Sequence, residues 1–247
     1  MSNKRNNSGL KVLLGLIIAG SLMATVISSC GKTSSASATS LNIQYQVVNL
    51  SPDLGPVSLY INYTIYNNMN FFYPAPSGYF YLSSITPPFQ FRPSPNQLTT
   101  TTIVNTSNIF SRDDILKPNL KYTLFITGIN ATHSLDTLFL TDTSATPTTG
   151  RGKIRFVNGS PLSTGFDVLA NDSLAFGNVQ FNAVSKFIEL PAGNYNFQVF
   201  ATGTRAGVVG SEQNVTIQDG RLYTLFSYGV AGHTDSLAFG MGTITNK

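Results

Sequence analysis

Past residue 40 the chain alternates between apolar and polar positions. Ile43, Tyr45 and Val47 are interleaved with Gln44 and Gln46; Val57, Leu59 and Ile61 with Ser58 and Tyr60; Tyr195, Phe197 and Val199 with Asn196 and Gln198. A period of two turns one face of a strand to a core and the other to water. Turn chemistry separates the runs at Ser51-Pro52-Asp53-Leu54-Gly55, Pro191-Ala192-Gly193-Asn194 and Gln218-Asp219-Gly220. No stretch after residue 30 holds a helical period, so the pattern predicts an all-β fold. Thr86-Pro87-Pro88 and Arg92-Pro93-Ser94-Pro95 predict guarded sheet edges, because proline cannot donate to a ladder.

The same pattern occurs twice. Val47-Val48-Asn49-Leu50-Ser51-Pro52 matches Phe156-Val157-Asn158-Gly159-Ser160-Pro161, and Val57 to Asn62 matches Phe166 to Asn171. Tyr122-Thr123-Leu124-Phe125 recurs as Tyr223-Thr224-Leu225-Phe226, and His133 with Asp136 is echoed by His233 with Asp235. Ordered matches at one spacing indicate a tandem duplication. The seam is the Thr-, Ser-, Pro- and Gly-rich stretch from Asp142 to Gly152, where few contacts are expected to cross. Roughly seven short strands per copy is the count of an immunoglobulin-like sandwich. The expected organisation is two tandem immunoglobulin-like β-sandwiches, residues 41–149 and 150–247.

The N-terminus departs from this pattern. Val12 to Ile27 is an uncharged, mainly apolar run diluted by Gly15, Gly20, Ser21 and Thr25, led by Lys4, Arg5 and Lys11 and followed by Ser28-Ser29-Cys30-Gly31. A basic head, an apolar stretch and small residues make a secretory signal. Ile27-Ser28-Ser29-Cys30 resembles the bacterial lipobox, which implies cleavage before Cys30 and acylation of that cysteine. On this reading residues 1–29 are a lipoprotein signal peptide. Residues 30–40 are a flexible tether carrying the lipidated cysteine. A transmembrane anchor and a cleavable signal without lipid are the rival readings. Gly31 lacks the Asp of the enterobacterial inner-membrane retention rule, and no acidic run follows the cysteine. The resemblance therefore implies an outer-membrane lipoprotein, facing the periplasm rather than the cell surface.

The second copy also resembles a bacterial module known as domain of unknown function 4397. The resemblance rests on Ile154-Arg155-Phe156-Val157-Asn158-Gly159-Ser160-Pro161, on Phe166-Asp167-Val168, on Leu190-Pro191-Ala192-Gly193-Asn194-Tyr195 and on Leu222 to Phe226. The first copy keeps the opening and closing strands but is longer and richer in Pro and aromatics across residues 66–118. These motifs are turns and strand alternation, so the resemblance implies a fold and transfers no functional residue.

Charge and cysteine content narrow the function. The chain carries a formal +4, but Lys4, Arg5 and Lys11 lie in the signal segment, which leaves the mature body near neutral. Nothing in it points to nucleic acid. Cys30 is the single cysteine, so acylation would leave neither a disulfide nor a thiolate metal site. No cofactor is expected.

Candidate chemistry is sparse. His133 with Asp136 and His233 with Asp235 could serve acid–base or metal work, but each reads better as a hairpin motif copied by duplication. Ser51 and Ser160 sit in Asn-x-Ser-Pro turns rather than in a nucleophile elbow. Asp113-Asp114 lacks the spacing of a calcium loop. The remaining feature is an aromatic cluster: Phe71, Phe72, Tyr73, Tyr79, Phe80, Tyr81, Phe89 and Phe91. Its candidate surface is Phe71, Phe72, Tyr73, Tyr79 and Tyr81, as a platform for a protein or glycan. Core or packing between the copies is the alternative. The expected function is a non-enzymatic structural or interaction lipoprotein of the cell envelope, held to the membrane by its lipid. A glycan-binding accessory of a polysaccharide uptake system is the runner-up.

Overall fold

The first copy folds into eight strands among the described residues: β1 (Gln44–Asn49), β2 (Val57–Ile61), β3 (Thr64–Phe71), β4 (Phe80–Tyr81), β5 (Phe89–Pro93), β6 (Phe110–Arg112), β7 (Lys121–Thr127) and β8 (Asp136–Thr141). The second gives nine: β9 (Arg151–Asn158), β10 (Phe166–Ala170), β11 (Ser173–Val179), β12 (Ala183–Val184), β13 (Ile188–Pro191), β14 (Gly193–Ala201), β15 (Gly210–Ile217), β16 (Leu222–Tyr228) and β17 (Gly240–Thr245). The computed structural model describes residues 41–95 and 107–247; the signal segment, Cys30 and the tether lie outside the described residues.

Each copy is a sandwich of two sheets. The first pairs β4-β1-β7-β8 with β3-β2-β5-β6; the second pairs β12-β9-β16-β17, with β13 also on β9, and β11-β10-β14-β15. The second order repeats the first strand for strand, so the sequence repeat is a repeat of topology. β1 runs parallel to β7 and β9 parallel to β16, with Tyr45 opposite Tyr122 and Ile154 opposite Tyr223. The counts exceed the expected seven because two-residue β4 closes one sheet edge in the first copy, and β12 and β13 both add to β9 in the second.

The alternation sends the expected residues inward. Tyr45, Val47, Val57, Leu59, Phe89, Phe91 and Leu124 are sealed in the first core; Ile154, Phe156, Val168, Phe197, Val199 and Leu225 form the second. A buried side chain of this size contributes roughly 1.5–3 kcal/mol. Tyr45 is the exception in kind. It stacks on Phe89 at 6.4 Å, yet its buried hydroxyl has no hydrogen-bond partner among the described residues. An unmade buried hydrogen bond costs about 1–3 kcal/mol. Tyr45→Phe is therefore expected to raise stability by about 1 kcal/mol, read as a higher urea midpoint at unchanged slope.

A third apolar layer joins the copies, contrary to the expectation that few contacts cross the seam. Val48, Leu50 and Phe125 of the first copy pack with Val157, Phe226 and Ile244 of the second. These residues lie on the outer faces of β1, β7, β9, β16 and β17, so the two inner sheets are buried on both sides. The result is a stack of four sheets, and residues 41–247 belong to one compact unit.

Both copies point the same way. Leu50, just after β1, lies against Gly159, just after β9. Leu41 opens the described chain at the end where β1, β7, β9 and β16 start; Asn246 returns there, bonding Leu222. The loops after β1, β7, β9 and β16 gather at the opposite end. Gly128 and Gly229 begin the loops after β7 and β16 at φ 87° and 68°, and a Cβ at either would strike the returning backbone of its own loop.

Candidate interaction sites

The aromatic cluster divides in space between the first core, the junction of the copies and the surface. Phe71 is 1% exposed and belongs to the first core, as do Phe89 and Phe91. Phe80 stacks on Phe71 at 6.1 Å, so alternation sends Phe80 inward and Tyr81 outward. Tyr73 meets Tyr228 of the second copy edge-on at 5.7 Å. Only Phe72 and Tyr81 of the candidate surface are exposed, at 52% and 60%. They lie at opposite ends of the sandwich. Tyr81 pairs with Gln44 at the start of β1, whereas Phe72 follows the end of β3, which pairs with Val57. Phe71, Phe72, Tyr73, Tyr79 and Tyr81 thus form no single platform.

Tyr79 instead enters a closed ring of polar groups between the copies. Arg155 donates through Nη2 to Asp142 Oδ1 and through Nε to Thr224 Oγ1, the latter at 3.0 Å. Thr224 donates to Asn246 Oδ1 at 2.7 Å, and Asn246 Nδ2 donates to the Tyr79 hydroxyl at 2.9 Å. Tyr79 closes the ring on Asp142 Oδ2 at 2.8 Å, an oxygen that also accepts from Thr123 at 2.6 Å. Arg155 lies over the Phe187 ring, and Lys121 over that of Tyr79. Burial pushes the Asp142 carboxyl up, against the downward pull of Arg155, Thr123 and Tyr79. Burial likewise pushes the Tyr79 phenol up. The ring can hold two sandwiches in register, and its Asp142 and Asn246 also line a cavity of about 240 Å³ with Lys121 and Leu222.

The remaining candidates separate. His233 Nδ1 lies 3.4 Å from Asp235 Oδ1 on the surface. Asp136 instead accepts from Asn182 Nδ2 of the second copy at 2.6 Å, so the two His–Asp motifs are not equivalent. Asp114 makes a two-pronged ion pair with Arg112 at 2.7 and 2.8 Å. Ser51 and Ser160 each donate a backbone N–H to the Asn two residues earlier, at 3.1 Å, as the turn reading requires. Among the described residues no three His, Cys, Asp or Glu side chains group to hold a metal.

At the loop end of the first sandwich a cleft of about 530 Å³ is lined by Leu54, Pro56, Ile109, Asn130, His133 and Leu135, among others. Asp53 fixes one wall by accepting the N–H groups of Asn130 and Ala131 at 2.8 and 2.7 Å. Burial raises its carboxyl, but the backbone donors of Ala131 and Asn130 and the Ser51 hydroxyl outweigh that and hold it below the usual range. A carboxylate lowered in the fold adds stability above its unfolded value and loses it as pH falls through the folded one. The Asn130 and Ala131 amide shifts are expected to titrate together, with a midpoint below that of an ordinary aspartate. Asp53→Asn should abolish that titration and speed exchange of both amides about tenfold.

The chain belongs to the family described as Domain of unknown function (DUF4397), whose profile matches residues 44–164 and 152–241. The matches overlap across β9, where the second copy begins. No curated protein matches the chain. Among solved structures, a leucine-rich repeat protein from Bacteroides thetaiotaomicron aligns with 12% identity and a TM-score of 0.18. The alignment covers 74% of this chain and 25% of that one, so this chain spans about a quarter of its length.

Proposed function

We propose that the protein is a non-enzymatic scaffold of the bacterial cell envelope, lipid-anchored through Cys30 in the outer membrane. Its work is presentation, with one end held at the bilayer and the other offering loops to a partner. The observation that supports this most is polarity of build. The chain leaves its N-terminal segment at Leu41, at one end of the four-sheet stack, while the loops after β1, β7, β9 and β16 lie at the other. The apolar layer and the buried ring between the copies suit a body that transmits position from one end to the other. Loops on a rigid β scaffold are a common place for recognition. The aromatic cluster lends no support to glycan stacking, since its exposed rings, Phe72 and Tyr81, do not converge.

The anchor is tested by fractionating the native envelope. Wild-type protein is expected in the membrane fraction after a carbonate wash, and Cys30→Ser in the soluble fraction with an unchanged β spectrum. A Cys30→Ser protein that stays with the membrane would overturn the reading.

A further inference from the structure

We infer that the tether-side end of the first sandwich lies on the phospholipid surface, with Ile115, Tyr63 and Tyr81 at the headgroup boundary. This rests on the anchored-scaffold reading above. Ile115 is 89% exposed, Tyr63 65% and Tyr81 60%, among the most exposed large apolar side chains described. All three belong to the end from which the chain runs back toward Cys30. Tyr63 sits in the β2–β3 turn, and Tyr81 pairs with Gln44. The 113–120 loop bonds Leu41 directly, its Asn119 N–H donating to the Leu41 carbonyl at 3.1 Å.

That loop is built to hold Ile115 outward. On one side Asp114 is clamped by Arg112; on the other Leu116 is 5% exposed and plugs the core. Lys117 N–H then donates to the Tyr122 hydroxyl at 2.9 Å. The second copy makes the same bond from Gln218 to Tyr223 at 3.0 Å, which fixes the correspondence. Leu116 corresponds to buried Ile217, and Ile115 to Thr216, whose hydroxyl bonds Asn194 at 2.8 Å. The scaffold therefore tolerates a polar residue here, and the copy joined to the tether carries isoleucine.

An anchored Cys30 would keep this end within one tether length of the bilayer. A fully extended chain from Cys30 to Leu41 spans at most about 40 Å. Tyrosine suits the site, because its ring is apolar and its hydroxyl stays wet at a membrane interface. Charge does not drive the contact. Lys117, Lys121, Arg151, Lys153, Arg221 and Lys247 share this end with Asp113, Asp172, Glu189 and Asp219, a slight basic excess, while the contacting side chains are themselves uncharged. The bilayer contact is apolar and needs no anionic lipid.

The experiment uses the full lipidated chain on phosphatidylcholine vesicles. A Lys117→Cys variant carries an environment-sensitive fluorophore, and Leu162→Cys at the loop end is the control. Headgroup-region spin-labelled lipid is expected to quench the 117 label at least threefold more than the 162 label, at low and high salt alike. Adding Tyr63→Ser, Tyr81→Ser and Ile115→Ser together should remove that difference without altering co-sedimentation. Equal quenching at 117 and 162 on a co-sedimenting protein overturns the docking and leaves the anchor standing. Quenching that needs anionic lipid or vanishes in salt also overturns it. A lipidated chain that fails to sediment with the vesicles overturns both.

Discussion

Arg155→Ala is expected to destabilise the protein by about 3–5 kcal/mol, because it leaves Asp142 as an uncompensated charge between the copies. Arg155 is 5% exposed and Asp142 3%. The guanidinium is held by Asp142 and Thr224 at once, so its loss opens the ring on both sides. Urea denaturation at neutral pH measures the cost. The pH dependence separates this cause from a simple cavity. Burial raises the Asp142 carboxyl in the fold. A carboxyl raised above its unfolded value favours the folded state below that unfolded value, and loses this contribution as pH rises through the folded one. Without Arg155 only the Thr123 and Tyr79 hydroxyls oppose the upward push, so the penalty should be largest near pH 7 and shrink toward pH 4. A loss that is equal at both pH values, or below about 1 kcal/mol, would show that the ion pair does not carry the junction.

How much of this was legible depends on whether a strand buries one face or two. Tyr195, Phe197 and Val199 alternate with polar neighbours because β14 has a wet face, and the sequence reads directly. β1 and β7 are buried on both faces, so Val47-Val48 and Leu124-Phe125-Ile126 lose the period. Continuous apolar strands are the usual sign of a doubly covered sheet. Here that sign lies in the matched pair Tyr122 to Phe125 and Tyr223 to Phe226, which on sequence alone marks only the duplication. Arg155 between Ile154 and Phe156 was a second signal, a lone charge within an apolar strand. Its partner could not be read, because Asp142 sits in a loop that resembles a linker. The aromatic cluster misled for a related reason. Proximity in sequence says little about a segment that turns between β3 and β4, and Phe72 and Tyr81 end up at opposite ends of the sandwich. The paired turns at Asn62-Tyr63 and Asn171-Asp172 were also readable. Each has positive φ at both positions, 47° and 66°, then 44° and 64°, the geometry of a two-residue hairpin that favours Asn and Asp.

Phe226→Ala should cost a similar amount, about 3–5 kcal/mol, by opening a cavity in the shared layer. Phe226 is 1% exposed, lies 6.1 Å from Phe125 of the other copy and packs over Gly242. Position decides what else it does. Loss of a residue such as Phe197 weakens one core, whereas Phe226 belongs to the layer through which each copy feels the other. Calorimetry of the wild type is expected to show one transition whose calorimetric and van't Hoff enthalpies agree. Phe226→Ala should broaden it and drive the enthalpy ratio above one, as the copies begin to unfold separately. Phe125→Ala, from the opposite side of the same contact, should do the same. Since one cavity is shared, the double variant should cost less than the two single losses combined, by at least about 0.5 kcal/mol. Full additivity, with a single sharp transition kept in all three variants, would mean that this layer does not couple the sandwiches. The scaffold would then be two bodies in contact, and a partner bound at the loop end would gain nothing from the fixed position of the other end.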